Sequence, residues 1–284
     1  MTMGQVLDVV VSPIAGLVAP KKTEESHSIG SVVKIYMDAD VLHSSVFIVA
    51  YALGLNIEVD FVKDEKTESG DDFLKINSEG TLPLSRLTSG NYLTTISMQL
   101  MVLCDACPAA GMGYPEGSFE RVYLFELLLW LDDMQKMVEY LHEPEVSGNP
   151  TLRAFFVKQL EDALVHFDRH VLNKKCKYIQ EHVTVADVFF FTIFKATYPL
   201  NLSSKVQESC QLLQGYVKRL HLLPKIVGAE QLLSKLEKER GIAKNSSPSP
   251  GRQSIRASIG SGSGQRNSVT AKRRVSTTQE DLSF

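Results

Sequence analysis

The chain has 284 residues, of which 44% are apolar, 22% charged and 8% aromatic, a balance that excludes collagen-like, mucin-like and globally disordered chains. Thirty Lys and Arg stand against 33 Asp and Glu, for a net charge of -3, so the surface as a whole is not built to bind nucleic acid. No stretch reaches the ~18 apolar residues of a membrane span, the N-terminus lacks the basic flank and apolar core of a signal peptide, and four cysteines give no disulfide framework, so a reducing cytoplasm is the expected setting.

Residues 1–31 read as an extension, apolar from Val6 to Val18 and then polar. Gly4 follows Met3, but Asp8 stands where an N-myristoylation signal needs a small hydroxyl residue. From Val32 to Met37 the chain reads as extended, from Ser44 to Leu55 as helical, and from Ile57 to Val62 as extended again, a βαβ start. A short amphipathic piece at Phe73–Ile76 follows, then Leu82–Leu87, a Ser-Gly-Asn turn at 89–91, Tyr92 and Leu93, and an apolar helix from Thr95 to Ala106. The turn predicts a hairpin and hence a mixed sheet. Residues 32–108 therefore form an α/β domain of βαβ-ββα order.

Beyond Pro115 every periodic run is helical: Phe119–Tyr140, Leu152–Leu172, Val185–Ala196, Val206–His221 and Ile226–Arg240, separated by prolines and glycines. Residues 116–240 are thus an all-helical second domain. Residues 241–284 are rich in serine and hold seven basic against two acidic side chains, about +5, leaving about -8 on the rest. Too few apolar residues remain there to offset ordering entropy, which predicts a disordered tail.

The end of the first strand and the start of the first helix read Tyr36-Met37-Asp38-Ala39-Asp40-Val41-Leu42-His43-Ser44-Ser45. No cysteine is present there, so thiol exchange at this place is excluded, and two aspartates would oppose a thiolate; capping and a solvated loop are their expected roles. Thr184-Val185-Ala186-Asp187 has the spacing of a capping box, with Thr184 and Asp187 as a structural cap. Cys104 and Cys107 lack a second pair for a metal, and His166 and His170 lack a third ligand, so no metal is expected.

Gly80-Thr81-Leu82-Pro83-Leu84, the Ser89-Gly90 turn and the Thr184–Asp187 segment together resemble the glutathione transferase superfamily over about residues 32–238. The resemblance implies a thioredoxin-like N-terminal domain, a cis Pro83, and a Leu82 backbone that pairs with the cysteinyl part of glutathione. It also marks departures. Neither Asp40 nor His43 suits the serine or cysteine position of that superfamily. Alignment on Gly54 puts Tyr36 where tyrosine-type members hold the hydroxyl facing the glutathione thiolate, while a tyrosine in an apolar strand also reads as core. The acid-Ser pair that grips the γ-glutamyl group is replaced by Thr94-Thr95 or Thr95-Ile96, so the pocket at Leu82, Pro83, Thr94 and Thr95 reads as degenerate.

A narrower resemblance joins Leu87–Leu93, Ala163–Asp168, Tyr198-Pro199-Leu200 and Gly215–Leu220 to the transferase-like domains appended to methionyl-tRNA synthetase, to synthetase-complex scaffolds and to elongation factor 1 gamma. This implies a largely non-catalytic docking module of the translation apparatus, without cofactor, pairing with itself or with other transferase-like domains, aminoacyl-tRNA synthetases or elongation-factor subunits. Tyr216, Arg219 and Leu220 are its expected interface anchors, with a second docking face on the third and fourth helices. The alternative is a glutathione S-transferase that uses Tyr36 and binds glutathione. In the tail, Ser254, Ser258, Ser268 and Ser276 each follow an arginine by two residues, the spacing of phosphorylation sites for basophilic kinases, and its cations suit weak RNA contact.

Overall fold

The computed structural model describes residues 30–63, 66–67, 72–200 and 202–242. The extension before residue 30 and the tail serines lie outside the described residues. In chain order the elements are β1 (Val32–Met37), α1 (Ser44–Ala52), β2 (Glu58–Lys63), β3 (Lys66–Thr67), α2 (Phe73–Ile76), β4 (Leu84–Leu87), β5 (Tyr92–Leu93), α3 (Ile96–Ala106), α4 (Phe119–His142), α5 (Pro144–Ser147), α6 (Pro150–His166), α7 (Val185–Thr197), α8 (Ser204–Ser209), α9 (Gln211–His221) and α10 (Pro224–Glu239).

The five strands form one mixed sheet in the order β3-β2-β1-β4-β5. β1 runs parallel to β2, with Ile35 beside Val59, and antiparallel to β4, with Ile35 beside Ser85. β4 and β5 form the hairpin foreseen from the Ser-Gly-Asn turn, closed by Leu87 N–H to Asn91 O at 2.9 Å. Gly90 there adopts φ +86°, the left-handed backbone that a side chain disfavours.

Every residue of α1 except the exposed Tyr51 is buried, because the helix is wedged between the sheet, α3, α7 and α10. α7 is the central helix of the second half, and its residues from Val185 to Ile193 are all buried. One continuous apolar cluster runs from Ile35 and Met37 through α1 and α3 to α4, α7 and α9. A small separate cluster of Tyr36, Phe73 and Leu84 fills the other face of the sheet, under α2. Lys195 of α7 is ion-paired with Glu230 of α10, while Arg240 donates to Val59 O at 2.8 Å and lies over the Phe61 ring. These contacts fix the last helix to both halves.

Two helical runs differ from the expectation. The run from Leu152 leaves α-helical geometry at Phe167, where a π-turn covers Phe167–Val171. The Val206–His221 run is two helices broken at Cys210, whose φ and ψ of -99° and 64° are non-helical. The break is held by Asp168 of the π-turn, which accepts a hydrogen bond from Leu213 N at 2.7 Å. Apolar spacing survives both breaks, so periodicity did not reveal them.

Candidate functional site

The pairing registers converge at one end of the sheet. Continuing the β1–β4 pairing past Tyr36 beside Leu84 sets Met37 against Pro83, and continuing β4–β5 past Ser85 beside Leu93 sets Pro83 against Thr95. The end of β1, the entry to β4 and the start of α3 therefore meet.

The Leu82–Pro83 peptide bond is cis, as the resemblance implied. Leu82 lies beyond the last paired residue of β4. The approach is pinned by Asn77, whose amide donates to Thr81 O at 2.9 Å and to Thr81 Oγ1 at 3.0 Å. From α3, the buried Gln99 donates to Pro83 O at 2.8 Å and accepts from Ser85 Oγ at 2.5 Å. Gln99 was not foreseen; its polar amide on the buried side of an apolar helix was the available signal, since a buried amide needs partners. Thr95 is the N-cap residue of α3, and its exposed hydroxyl makes no capping bond. The first-turn amides of α3 and this hydroxyl suit a carboxylate. Asp132 of α4 stands beside Ser97 in that first turn; burial pushes its carboxyl up, and the nearness of Ser97 pulls it back.

At the head of α1 the aspartates do more than cap. Asp40 Oδ1 accepts from Leu42 N at 2.9 Å, as a cap does. Asp38 Oδ1 accepts from Asp40 N at 3.0 Å and from His43 Nδ1 at 2.6 Å. His43 is 1% exposed, and its Nε2 lies 3.9 Å from Glu139 Oε1 on α4. Burial would lower its pKa, but the charge and hydrogen bond of Asp38, with help from Glu139 and Asp40, outweigh burial and raise it to about 10. His43 is thus an imidazolium at neutral pH, and it ties the β1–α1 loop to the helical half.

Tyr36 turns toward α2, away from the side of β1 that packs on α1. Its ring sits 5.9 Å from Phe73 and 6.4 Å from Tyr92, with the Lys34 ammonium 5.1 Å from its centroid. Burial raises its pKa, and Lys34 works against that shift. This is the environment of a core tyrosine.

Two of the three expected interface anchors point inward, and the third, Arg219, is exposed. Tyr216 and Leu220 are fully buried in the chain's own core. Tyr216 donates from its hydroxyl to Asp187 Oδ1 at 2.9 Å, and Arg219 donates from Nε to Lys177 O at 2.8 Å. Asp187 further accepts from Thr184 N, Thr184 Oγ1 and Ile179 N at 2.7, 2.8 and 3.0 Å, the cap foreseen from the Thr184–Asp187 spacing. The second expected docking face exposes Met98 of α3 and Phe119, Val122 and Leu129 of α4. Among the described residues no three His, Cys, Asp or Glu side chains converge as metal ligands, and no helix is long and apolar enough to cross a membrane.

No protein-family model matches the chain. Glutathione S-transferase GstA of Escherichia coli O157:H7 is 24% identical over 176 residues, covering 61% of this chain and 83% of the relative. Among solved structures, a sphingomonad glutathione S-transferase in complex with glutathione superposes with a TM-score of 0.64 at 23% identity, over 71% of this chain and 99% of the other. A ternary complex of BphK, a bacterial glutathione transferase, gives 0.65 at 23% identity, over 71% and 100%. These likenesses overturn the expectation of a docking module of the translation apparatus, since the relatives are bacterial glutathione S-transferases. The narrower resemblance had rested on short segments of helix surface and turn that the wider superfamily fold also accommodates. The chain has the glutathione-transferase fold, and in sequence it is similar to glutathione S-transferase GstA.

Proposed function

We propose that the chain binds glutathione and conjugates it through its sulfur to an electrophile. The observation that carries this reading is the Leu82–Pro83 entry to β4, held by Gln99 and set against the hydroxyl of Thr95 at the start of α3. The Leu82 backbone offers the cysteinyl part of the tripeptide an unpaired strand segment, and the α3 N-terminus with Thr95 offers its γ-glutamyl carboxylate a set of donors. The ligand brings its own nucleophile, so the unsuitability of Asp40 and His43 for the superfamily's serine or cysteine position does not remove the chemistry. The sulfur attacks the electrophilic carbon, a carbon–sulfur bond forms as the leaving group departs, and the thiol proton passes to solvent. What the protein contributes is position and orientation.

Tyr36 packs as core, so Tyr36→Phe is expected to keep most of the conjugating activity, measured with glutathione and a chloronitrobenzene. Titration calorimetry with glutathione tests the binding step. Saturable binding is expected, weakened about tenfold or more in Thr95→Val, because one hydrogen bond to a charged group is worth about 1.5 to 3 kcal/mol. No saturable heat with the wild-type chain, or equal affinity in Thr95→Val, would overturn the assignment.

A further inference from the structure

An open cleft in the helical half has no part in the glutathione reading. It has a volume of about 790 Å³ and is lined by the π-turn and the loop after it, by Tyr123 of α4 and by the α8–α9 junction. That size suits a small organic ligand. Its lining is strongly one-signed. Arg169, His170, Lys174 and Lys175 all border it and are all exposed, and among the described residues none of them is in an ion pair. The acidic residue on the wall, Asp168, is buried and already accepts from Leu213 N. It therefore holds the α8–α9 junction in place and leaves the cations facing the cleft.

Four features point the same way. Arg169, Lys174 and Lys175 are permanent cations, and their charge of +3 is concentrated in seven residues of a chain whose net charge is -3. Like charges this close repel, so the arrangement costs free energy unless an anion joins it. The segment that carries them leaves α-helical geometry through a π-turn, a local distortion that is frequent at functional sites. The loop is also braced from outside, since Arg219 of α9 donates to Lys177 O. Beside the cations, Tyr123, Val171 and Leu212 give the cleft an apolar side that suits a flat ring.

We propose that this cleft binds a nucleoside diphosphate, with the diphosphate against Arg169, Lys174 and Lys175 and the base against Tyr123. A diphosphate ester carries about three negative charges at neutral pH, which matches the three cations.

Trp130 is the chain's one tryptophan, and it stacks on Phe167, the first residue of the π-turn, with ring centroids 6.0 Å apart and planes 3° from parallel. Its fluorescence therefore reports on the wall of the cleft. The full chain is titrated with ADP, with inorganic pyrophosphate and with adenosine, followed by Trp130 emission and by calorimetry. ADP is expected to bind saturably, pyrophosphate to compete with it more weakly, and adenosine alone to give no saturation. The double variant Arg169→Glu with Lys174→Glu is expected to weaken ADP binding at least about tenfold, whereas Lys158→Glu on the exposed face of α6 leaves it unchanged, and both keep the wild-type melting temperature because these side chains are solvated. Binding that is equally strong in the double variant would place the anion on the basic tail and overturn the proposal. Saturable adenosine binding, or no saturation by ADP, would overturn it as well.

Discussion

Asp187→Ala is expected to cost roughly 4 kcal/mol or more of folding stability, most of what a domain of this kind has to spare. The carboxylate is fully buried and accepts four hydrogen bonds, from Ile179 N, Thr184 N, Thr184 Oγ1 and the Tyr216 hydroxyl. Truncation leaves all four donors without an acceptor in a site closed to water, and each orphaned donor costs about 1 to 3 kcal/mol. Tyr216→Phe removes one donor and leaves the carboxylate its other three, so its cost should be about 2 kcal/mol. Urea denaturation of the two variants beside the wild type measures both. A loss below about 1 kcal/mol in Asp187→Ala would mean that the four donors find other acceptors and that Asp187 is not the anchor of α7.

Stability should also fall from near-neutral to alkaline pH, through His43. The folded pKa of about 10 lies above the ordinary 6.5, so folding takes up a proton across that window. The contribution of the His43–Asp38 pair is fully present below about pH 6.5 and is lost as the pH rises through about 10. Solvent reaches part of the Asp38 side chain and screens the pair, so a loss of about 2 kcal/mol is expected rather than the full value implied by the shift. His43→Gln should be less stable near pH 6.5 and should show a flatter profile up to about pH 10. Parallel profiles for wild type and variant, from urea midpoints across this range, would mean that His43 is neutral in the folded chain.

Local spacing carried a good part of this structure. The Thr184–Asp187 box and the hairpin turn at Gly90 each depend on residues within a few positions of one another, so each is readable in the chain itself, whereas the cis Pro83 was implied by the family resemblance. The tertiary partners were not. Tyr216 meets Asp187 from 29 residues away, and Gln99 meets Pro83 from 16, distances at which no periodicity speaks. Tyr216, Arg219 and Leu220 looked like a mixed interface because a helix that buries one stripe and solvates the other has the same composition as a docking face. At the site, the missing acid-Ser pair read as lost function because the motif was judged by side chains. The Leu82 backbone and the α3 N-terminus are main-chain features, and these remain whatever residues replace the pair.

The burial of α1 has a consequence for how this molecule can come apart. The helix belongs by sequence to the first half, yet α7 and α10 of the second half cover it as fully as its own sheet does. Neither half on its own would have a finished surface, because separation would expose one flank of α1 and the helices that cover it. The chain is therefore expected to melt in one transition, and a ribosome that has made only the first hundred or so residues holds a segment that must wait for α10, the last described helix, before it can close.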